Sequence, residues 1–318
     1  MAIYMYSSKN KGAALLAVLI VAVVMVVLLG VAATSIQERL LLATKAKAHL
    51  QDRAQVNSKV NELTYLIATQ RVTPAGISQG TNSQGLQRNL EGYWLLNIVG
   101  DEIRHDNHVY SHESGLAYAI QNTAGLIPLN VAKQFWLKRW LQAKGYSHAQ
   151  QSRYGDTLAD YADPDNWSRP AGAELSSYKN GLFTQPANFL LQSCSELWKV
   201  MGWQALLLKE PEILSLCSLS RSETLNLNAV PLQLWQVLWP NSAAKIAKQR
   251  QQGKWLLSDA DTLFVEPALL YVVEDYVSTQ GGQQFHVQVN KNGAKVSLEI
   301  ALGSGLKTPF TLRRVQQF

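Results

Sequence analysis

A chain of 318 residues, 47% hydrophobic and 16% charged, has room for a long anchor and one or two folded domains, and its composition is that of a globular protein. The formal charge of +6 is spread along the chain. Its lysines and arginines, Lys45, Lys47, Lys138, Arg139, Lys245, Lys248 and Arg250 among them, form no run longer than two, so they read as solvated surface and argue against a nucleic-acid face. The two cysteines, Cys194 and Cys217, could pair if that part of the chain reaches an oxidising compartment. Otherwise each reads as a small buried thiol.

A polar leader carrying Lys9 and Lys11 ends at Gly12, and Ala13 to Ala33 then pass without a charge. A helix of that length crosses a hydrocarbon layer of about 30 Å. The run exceeds a secretory h-region of about 7–15 residues, and no A-x-A site follows it before the polar part of the helix, so it reads as an anchor and not as a cleaved signal peptide. Lys9 and Lys11 place the N-terminus on the cytoplasmic side, although Arg39, Lys45 and Lys47 on the other flank weaken that argument.

The helical pattern continues to about Gln70, with Val56, Val60, Leu63 and Ile67 on one face. Val72 to Arg88 is rich in Gly, Ser, Thr, Asn and Gln and reads as a loop. Tyr93 to Val99 reads as a buried strand and Val109 to Ile120 as a second. Asn130 is expected to cap a helix through Trp136 and Trp140 that closes at Gly145. Ser193 and Glu196 have capping-box spacing at the start of a short helix, and Pro231 to Arg250 is helical. From Gln284 the period becomes two: Phe285, Val287, Val289, then Asn292-Gly293, then Val296, Leu298 and Ile300. That pattern predicts a tight hairpin.

The expected fold is therefore α+β: a long N-terminal helix, a domain with an antiparallel sheet, and a large inserted mainly α-helical domain. The expected boundaries are 1–12 for the leader, 13–70 for the helix, 71–120 and 225–318 for the α+β domain, and 121–224 for the insert.

Four stretches bear on chemistry. Gly76-Ile77-Ser78-Gln79-Gly80 has the G-x-S-x-G spacing of a hydrolase, but Pro74 and a polar loop surround it where a strand and a helix are needed, so a loop is the expectation. His105, His108 and His112 lie near Asp101, Glu102, Asp106 and Glu113. They are zinc ligands in type, but their spacing matches no local signature. Asp160, Asp163 and Asp165 crowd together, with Glu174 following, and repel one another unless water or a cation screens them. An oxygen-only set suits calcium, and a solvated acidic loop is the equal alternative. Leu225 to Ala229 followed by a helix pair resembles a helix-hairpin-helix DNA module, but the turn Trp239-Pro240-Asn241-Ser242 lacks the glycines that let amides reach phosphates. Two helices packed through Trp235 and Leu238 are expected instead.

Several of these pieces resemble one family. Gly12 before an apolar helix looks like a prepilin peptidase site, cleaved between Gly12 and Ala13. Asp160-Tyr161-Ala162-Asp163-Pro164-Asp165 is similar to a D-W-x-D-x-D motif, with Tyr161 in place of Trp. Gly172-Ala173-Glu174 with Tyr178 is similar to G-A-E-x-x-Y with one extra residue. Asn188, Ser195-Glu196-Leu197 and Gly202 follow in order, then Asn226-Leu227-Asn228-Ala229, similar to N-x-N-x-A. In this ordered set the chain resembles the minor pseudopilin K of bacterial type II secretion systems.

The resemblance implies a non-enzymatic subunit at the tip of a periplasmic pseudopilus. It would be made as an inner-membrane prepilin and would assemble with the minor pseudopilins I and J, and through them with H and the major pseudopilin G. It also implies calcium, which we place on Asp163, Asp165 and Glu174, and no nucleic-acid partner. Ala17, the fifth residue after the expected cleavage, stands where most pilins carry Glu, as in the K-type proteins. The readings that stay open from other classes are a signal-anchored periplasmic hydrolase or binding protein and a competence-type DNA-binding protein.

Overall fold

The computed structural model describes residues 11–82, 98–178, 185–272, 276–305 and 308–317. Two compact units divide at Gln55. The first consists, among its described residues, of the N-terminal part of helix α1 (Lys11–Thr69), long and apolar enough to cross a membrane by length and composition. From Leu15 to Leu50 its large apolar side chains are exposed. No proline interrupts the helix and Gly30 is its only glycine past Gly12, so backbone propensity never turns against it.

The second unit starts at Val56. Val56, Val60, Leu63 and Ile67 are buried, as their spacing predicts. They pack with Phe285, Val287, Val289, Val296, Leu298 and Ile300 in one apolar cluster. Burying each such side chain contributes roughly 1.5–3 kcal/mol, so the helix is held to the sheet more firmly than by helix propensity alone.

After α1 come β1 (Val72–Thr73), β2 (Gly76–Ile77) and β3 (Ile103–Arg104), a small antiparallel sheet. The strand expected at Tyr93–Val99 lies almost wholly outside the described residues. The stretch Val109–Ile120 is two strands and not one: β4 (Tyr110–Ser111) turns through Gly115 into β5 (Ala117–Asn122). β6 (Ile127–Pro128) leads into α2 (Phe135–Ala143), α3 (His148–Ala162), α4 (Leu175–Tyr178), α5 (Trp203–Lys209), α6 (Ile213–Leu216) and β7 (Cys217–Ser218), and β6 and β7 pair in parallel. Then follow β8 (Leu225–Asn226), α7 (Leu232–Leu238), α8 (Ala243–Gln251), α9 (Asp259–Val265) and β9 (Val277–Ser278), with β8 and β9 parallel. The chain closes with β10 (Gln284–Lys291), β11 (Ala294–Gly305) and β12 (Thr308–Gln317).

The main sheet has the order β12-β11-β10-β5-β4, antiparallel throughout. Asn292 (φ 47°) and Gly293 (φ 92°) make the two-residue turn between β10 and β11 that the sequence announced; both central residues need the left-handed region, which Asn tolerates and Gly occupies freely. β5 lies directly beside β10, so the intervening residues 123–283 form the connection of a single hairpin.

Those residues contain a second apolar cluster with Trp136, Trp140, Trp203 and Trp235 fully buried. It runs from Ile127 to Val272, so the boundary expected at 224 falls inside one core: Leu225, Leu227 and Leu234 pack with Leu137 and Leu206. Cys194 and Cys217 are joined as a disulfide, Cα–Cα 6.4 Å, tying the 3₁₀ turn Cys194–Lys199 to β7.

Three local expectations change. The residue before α2 is Gln134, not Asn130. The Asn130 amide instead accepts from Leu191 N (2.9 Å) and donates to Leu191 O (3.0 Å). Ser193 makes no side-chain cap, since its hydroxyl bonds that of Ser195 (2.7 Å) while Glu196 accepts from Gln192 N. Pro231–Arg250 is two helices, because Pro240 opens a 3₁₀ turn between them.

Candidate metal centre

α3 starts at a full capping box formed by Ser147 and Gln150 and ends at Asp163, its C-cap. This places Asp160 on the last turn, facing inward and fully buried, with Asp163 and Asp165 on the exit. The chain returns at Glu174, which is buried, just before α4. One carboxylate oxygen each from Asp163, Asp165 and Glu174 lies within 4.8 Å of the others. Both Glu174 oxygens and Asp163 Oδ1 are buried and receive no well-formed hydrogen bond. Burial, and then the charges of Asp160, Asp163 and Asp165, push the Glu174 carboxyl above its ordinary value; only the neighbouring Leu175 N–H opposes them. A buried carboxylate with so little hydrogen-bond support, facing other carboxylates, is the kind of group a cation would stabilise.

Asp160 is not part of this oxygen set. The Arg169 backbone N–H (3.1 Å) and guanidinium (2.5 Å) hold it, and the same guanidinium reaches Asp163 Oδ2. Gly172 passes so close to Asp160 that a Cβ there would overlap Oδ2. A glycine two residues before Glu174 is thus what lets the loop close over α3. Sequence reading missed Arg169, whose place opposite two acids depends on the fold of the loop.

The histidine group does not gather. His105 is fully buried, and burial lowers its pKa to about 4. His108 packs edge-on against Tyr110, and His112 Nδ1 accepts from Ser114 N. Asp101 is committed elsewhere: its carboxylate accepts from the Ser78 hydroxyl (2.9 Å), the Thr81 N–H and hydroxyl (both 2.8 Å) and Asn82 N (3.1 Å). Glu102 likewise accepts from Thr73 Oγ1 and the backbone of Val99 and Gly100. These two acids fix loops. The G-x-S-x-G serine, Ser78, is buried and bonded to a carboxylate, with no imidazole among its described partners.

The DNA-module reading gives way to packing, since Trp235 and Leu238 are buried in the helical core. Asn226 and Asn228 are buried there as well. The Asn228 amide donates to Leu256 O (2.8 Å) and Thr279 O (3.0 Å), crosslinking distant segments.

A second charged site was not foreseen. Arg250, expected at the surface, is buried on α8. Its Nη1 donates to Asp106 Oδ2 (2.9 Å) and Val230 O (2.8 Å), and its Nη2 to Leu227 O (2.9 Å). Arg104 Nε approaches the same carboxylate at 3.1 Å. Burial raises the Asp106 carboxyl, but Arg250 and then Arg104 draw it net below its ordinary value. The partners stand 144 residues apart, so no local spacing reveals them.

Residues 117–211 match the model of the family described as type II secretion system (T2SS), protein K. A chain in the crystal structure of the GspK-GspI-GspJ complex from the enterotoxigenic Escherichia coli type 2 secretion system is similar in fold. The TM-score is 0.57 at 15% identity, over 86% of this chain and 99% of that one. No curated protein matches the chain.

Proposed function

From the match of residues 117–211 to protein K of the type II secretion system, we propose that this chain is a minor pseudopilin of the K type, a structural component of the secretion apparatus. That match carries the reading, and the likeness in fold to a chain of the GspK-GspI-GspJ complex supports it. On this reading α1 anchors the chain in the inner membrane with its N-terminus cytoplasmic and the second unit periplasmic. Prepilin peptidase removes residues 1–12 and leaves Ala13 as the new, methylated terminus.

The subunit joins the I and J pseudopilins, and through them H and the major pseudopilin G. It sits at the tip, where it initiates or caps assembly and supports protein export across the outer membrane. Ala17 fits that place. A carboxylate in the apolar layer is costly without a partner, and a subunit with none ahead of it has no amine there to pair with. The helical lobe between β5 and β10 fits it too, being bulky for a position inside a tight filament.

Mass spectrometry of membrane-extracted protein is expected to show Ala13 as the first residue in cells with active prepilin peptidase, and Met1 in cells without it. Retention of Met1–Gly12 in both contradicts the reading.

Asp163, Asp165 and Glu174 fit a calcium ion by their donor type and by the orphaned oxygens of Glu174. The ion would supply charge neutralisation that ties the end of α3 to the start of α4. Calcium at about 100 times its Kd should add about 2.7 kcal/mol of stability, seen as a raised unfolding midpoint that a chelator reverses. Asp163→Ala and Glu174→Ala should each lose most of this gain. A midpoint unmoved by calcium or chelator sinks the assignment.

A further inference from the structure

A cleft of about 280 Å³ opens beside the Asp106–Arg250 pair, away from the acidic centre. Its lining includes Arg104, Asp106, Arg250, Asn107, Gln233 and His108. Val109 and Leu232, both exposed, also line it.

The charges in the cleft do not balance. Two guanidiniums share the one carboxylate of Asp106, and no other acidic residue lines the space. Arg104 spends Nε and Nη2 on Asp106, and no described residue accepts from its Nη1. The Arg250 side chain has no exposure, and its Nε is buried without an acceptor. Both guanidinium carbons also lie by the Trp255 ring, Arg104 at 5.6 Å and Arg250 at 5.9 Å, so an apolar wall and not water covers one side of the excess charge. Burial drives the Arg250 pKa down to about 10, and Arg104 adds to the fall. A buried cation without a full counter-charge is costly, and an anion that reaches it is bound through charge-assisted hydrogen bonds.

We propose that this cleft binds one small oxyanion of the carboxylate or phosphate type, held by Arg104 with the Asn107 and Gln233 amides and drawn by the uncompensated charge shared with Arg250. The volume admits a single acidic side chain or a free inorganic anion. The guanidinium fork suits two oxygens on one centre. The exposed Val109 and Leu232 would flank the stem of a side chain.

The test is calorimetric titration of the full chain in a neutral detergent at fixed ionic strength. One arm uses inorganic phosphate and the other N-acetyl-glutamate amide. Saturable 1:1 binding is expected in at least one arm: phosphate alone marks a free anion as the ligand, and the glutamate amide marks a polypeptide carboxylate. Arg104→Gln should weaken binding about tenfold or more, the effect of losing one charge-assisted hydrogen bond. Lys245→Gln, which removes a surface cation elsewhere, should leave it unchanged. Because Arg104 is partly exposed and Asp106 keeps Arg250, that variant should remain folded, which its unfolding midpoint checks. No binding tighter than about 10 mM in either arm overturns the proposal, and so does equal weakening by both substitutions. A positive result stands whether or not the chain is a pseudopilin.

Discussion

Replacing Asp106 by Ala is expected to lower the unfolding free energy by about 3–5 kcal/mol, the cost of leaving a buried charge without its partner. Among the described residues Asp106 is the one anion facing Arg250, whose side chain has no exposure. Without it the guanidinium keeps only the carbonyls of Val230 and Leu227 and remains charged in an apolar surround that includes Trp235 and Trp255. Arg104→Met should cost far less, because Arg104 is partly exposed and the Asp106–Arg250 contact survives it. Denaturant unfolding of the two variants beside the parent gives the comparison. An Asp106→Ala loss below about 1 kcal/mol, the scale of an exposed pair, would show that the network is not desolvated as described.

The second large effect is a pH dependence centred on His105. Its ring is fully buried, and neither nitrogen has a partner among the described residues. Burial first, and Arg250 with it, bring the pKa from 6.5 to about 4, against the attraction of Asp106. In the unfolded chain the imidazole binds its proton below pH 6.5, whereas in the folded protein it does so only below about 4. Between those values the unfolded state holds more protons, so stability falls as pH falls, by up to about 3 kcal/mol from this residue.

His105→Leu removes the titration, so the stability difference between variant and parent should shift in the variant's favour on going from pH 7 to pH 4.5. Asp101 and Asp106, whose pKa values are lowered, lose their contributions below this window, and Glu174 acts with the opposite sign. Asp101 and Glu174 are common to both proteins and drop out of the difference, while Asp106, which the variant deprives of the His105 charge, titrates below this window. Parallel stability–pH curves over this range would refute the account.

What was legible in the sequence was periodic or adjacent. The α1 face from Val56 to Ile67, the alternation through β10 and β11, and the Asn292-Gly293 turn each depend on neighbours within a few residues, and backbone geometry then leaves one outcome. The acidic residues of the candidate metal centre were readable for the same reason: α3 ends between Asp160 and Asp163, and the chain returns within a dozen residues to Glu174.

What failed was non-local. Arg250 reads as surface because charge in a sequence is solvated by default, and the acid that pairs with it comes from outside the helical lobe, 144 residues earlier in the chain. Asn130 has the chemistry of a cap, but Leu191 and Leu219 compete for its amide and win. The boundary expected at 224 falls just before β8 (Leu225–Asn226), and no local pattern in the sequence ties that strand to the helical core. Its side chains nevertheless lie in the Trp-rich core.

The hairpin of β5 and β10 has a kinetic consequence. Asn122 and Phe285 are paired, and the Asn122 amide also donates to Gly282 O at 3.0 Å, so the two ends of the helical lobe meet at a single point. In an unfolded chain, bringing those ends together means closing a very long flexible loop, with an entropy cost that grows with the logarithm of its length. Once the lobe has condensed on its tryptophans, its own fold delivers both strands to the same place and most of that cost has already been met. The sheet can therefore gain its central pair as a late, nearly local event. The same geometry makes the lobe exchangeable: a body whose entry and exit touch can be enlarged, trimmed or replaced without altering the strand register on either side.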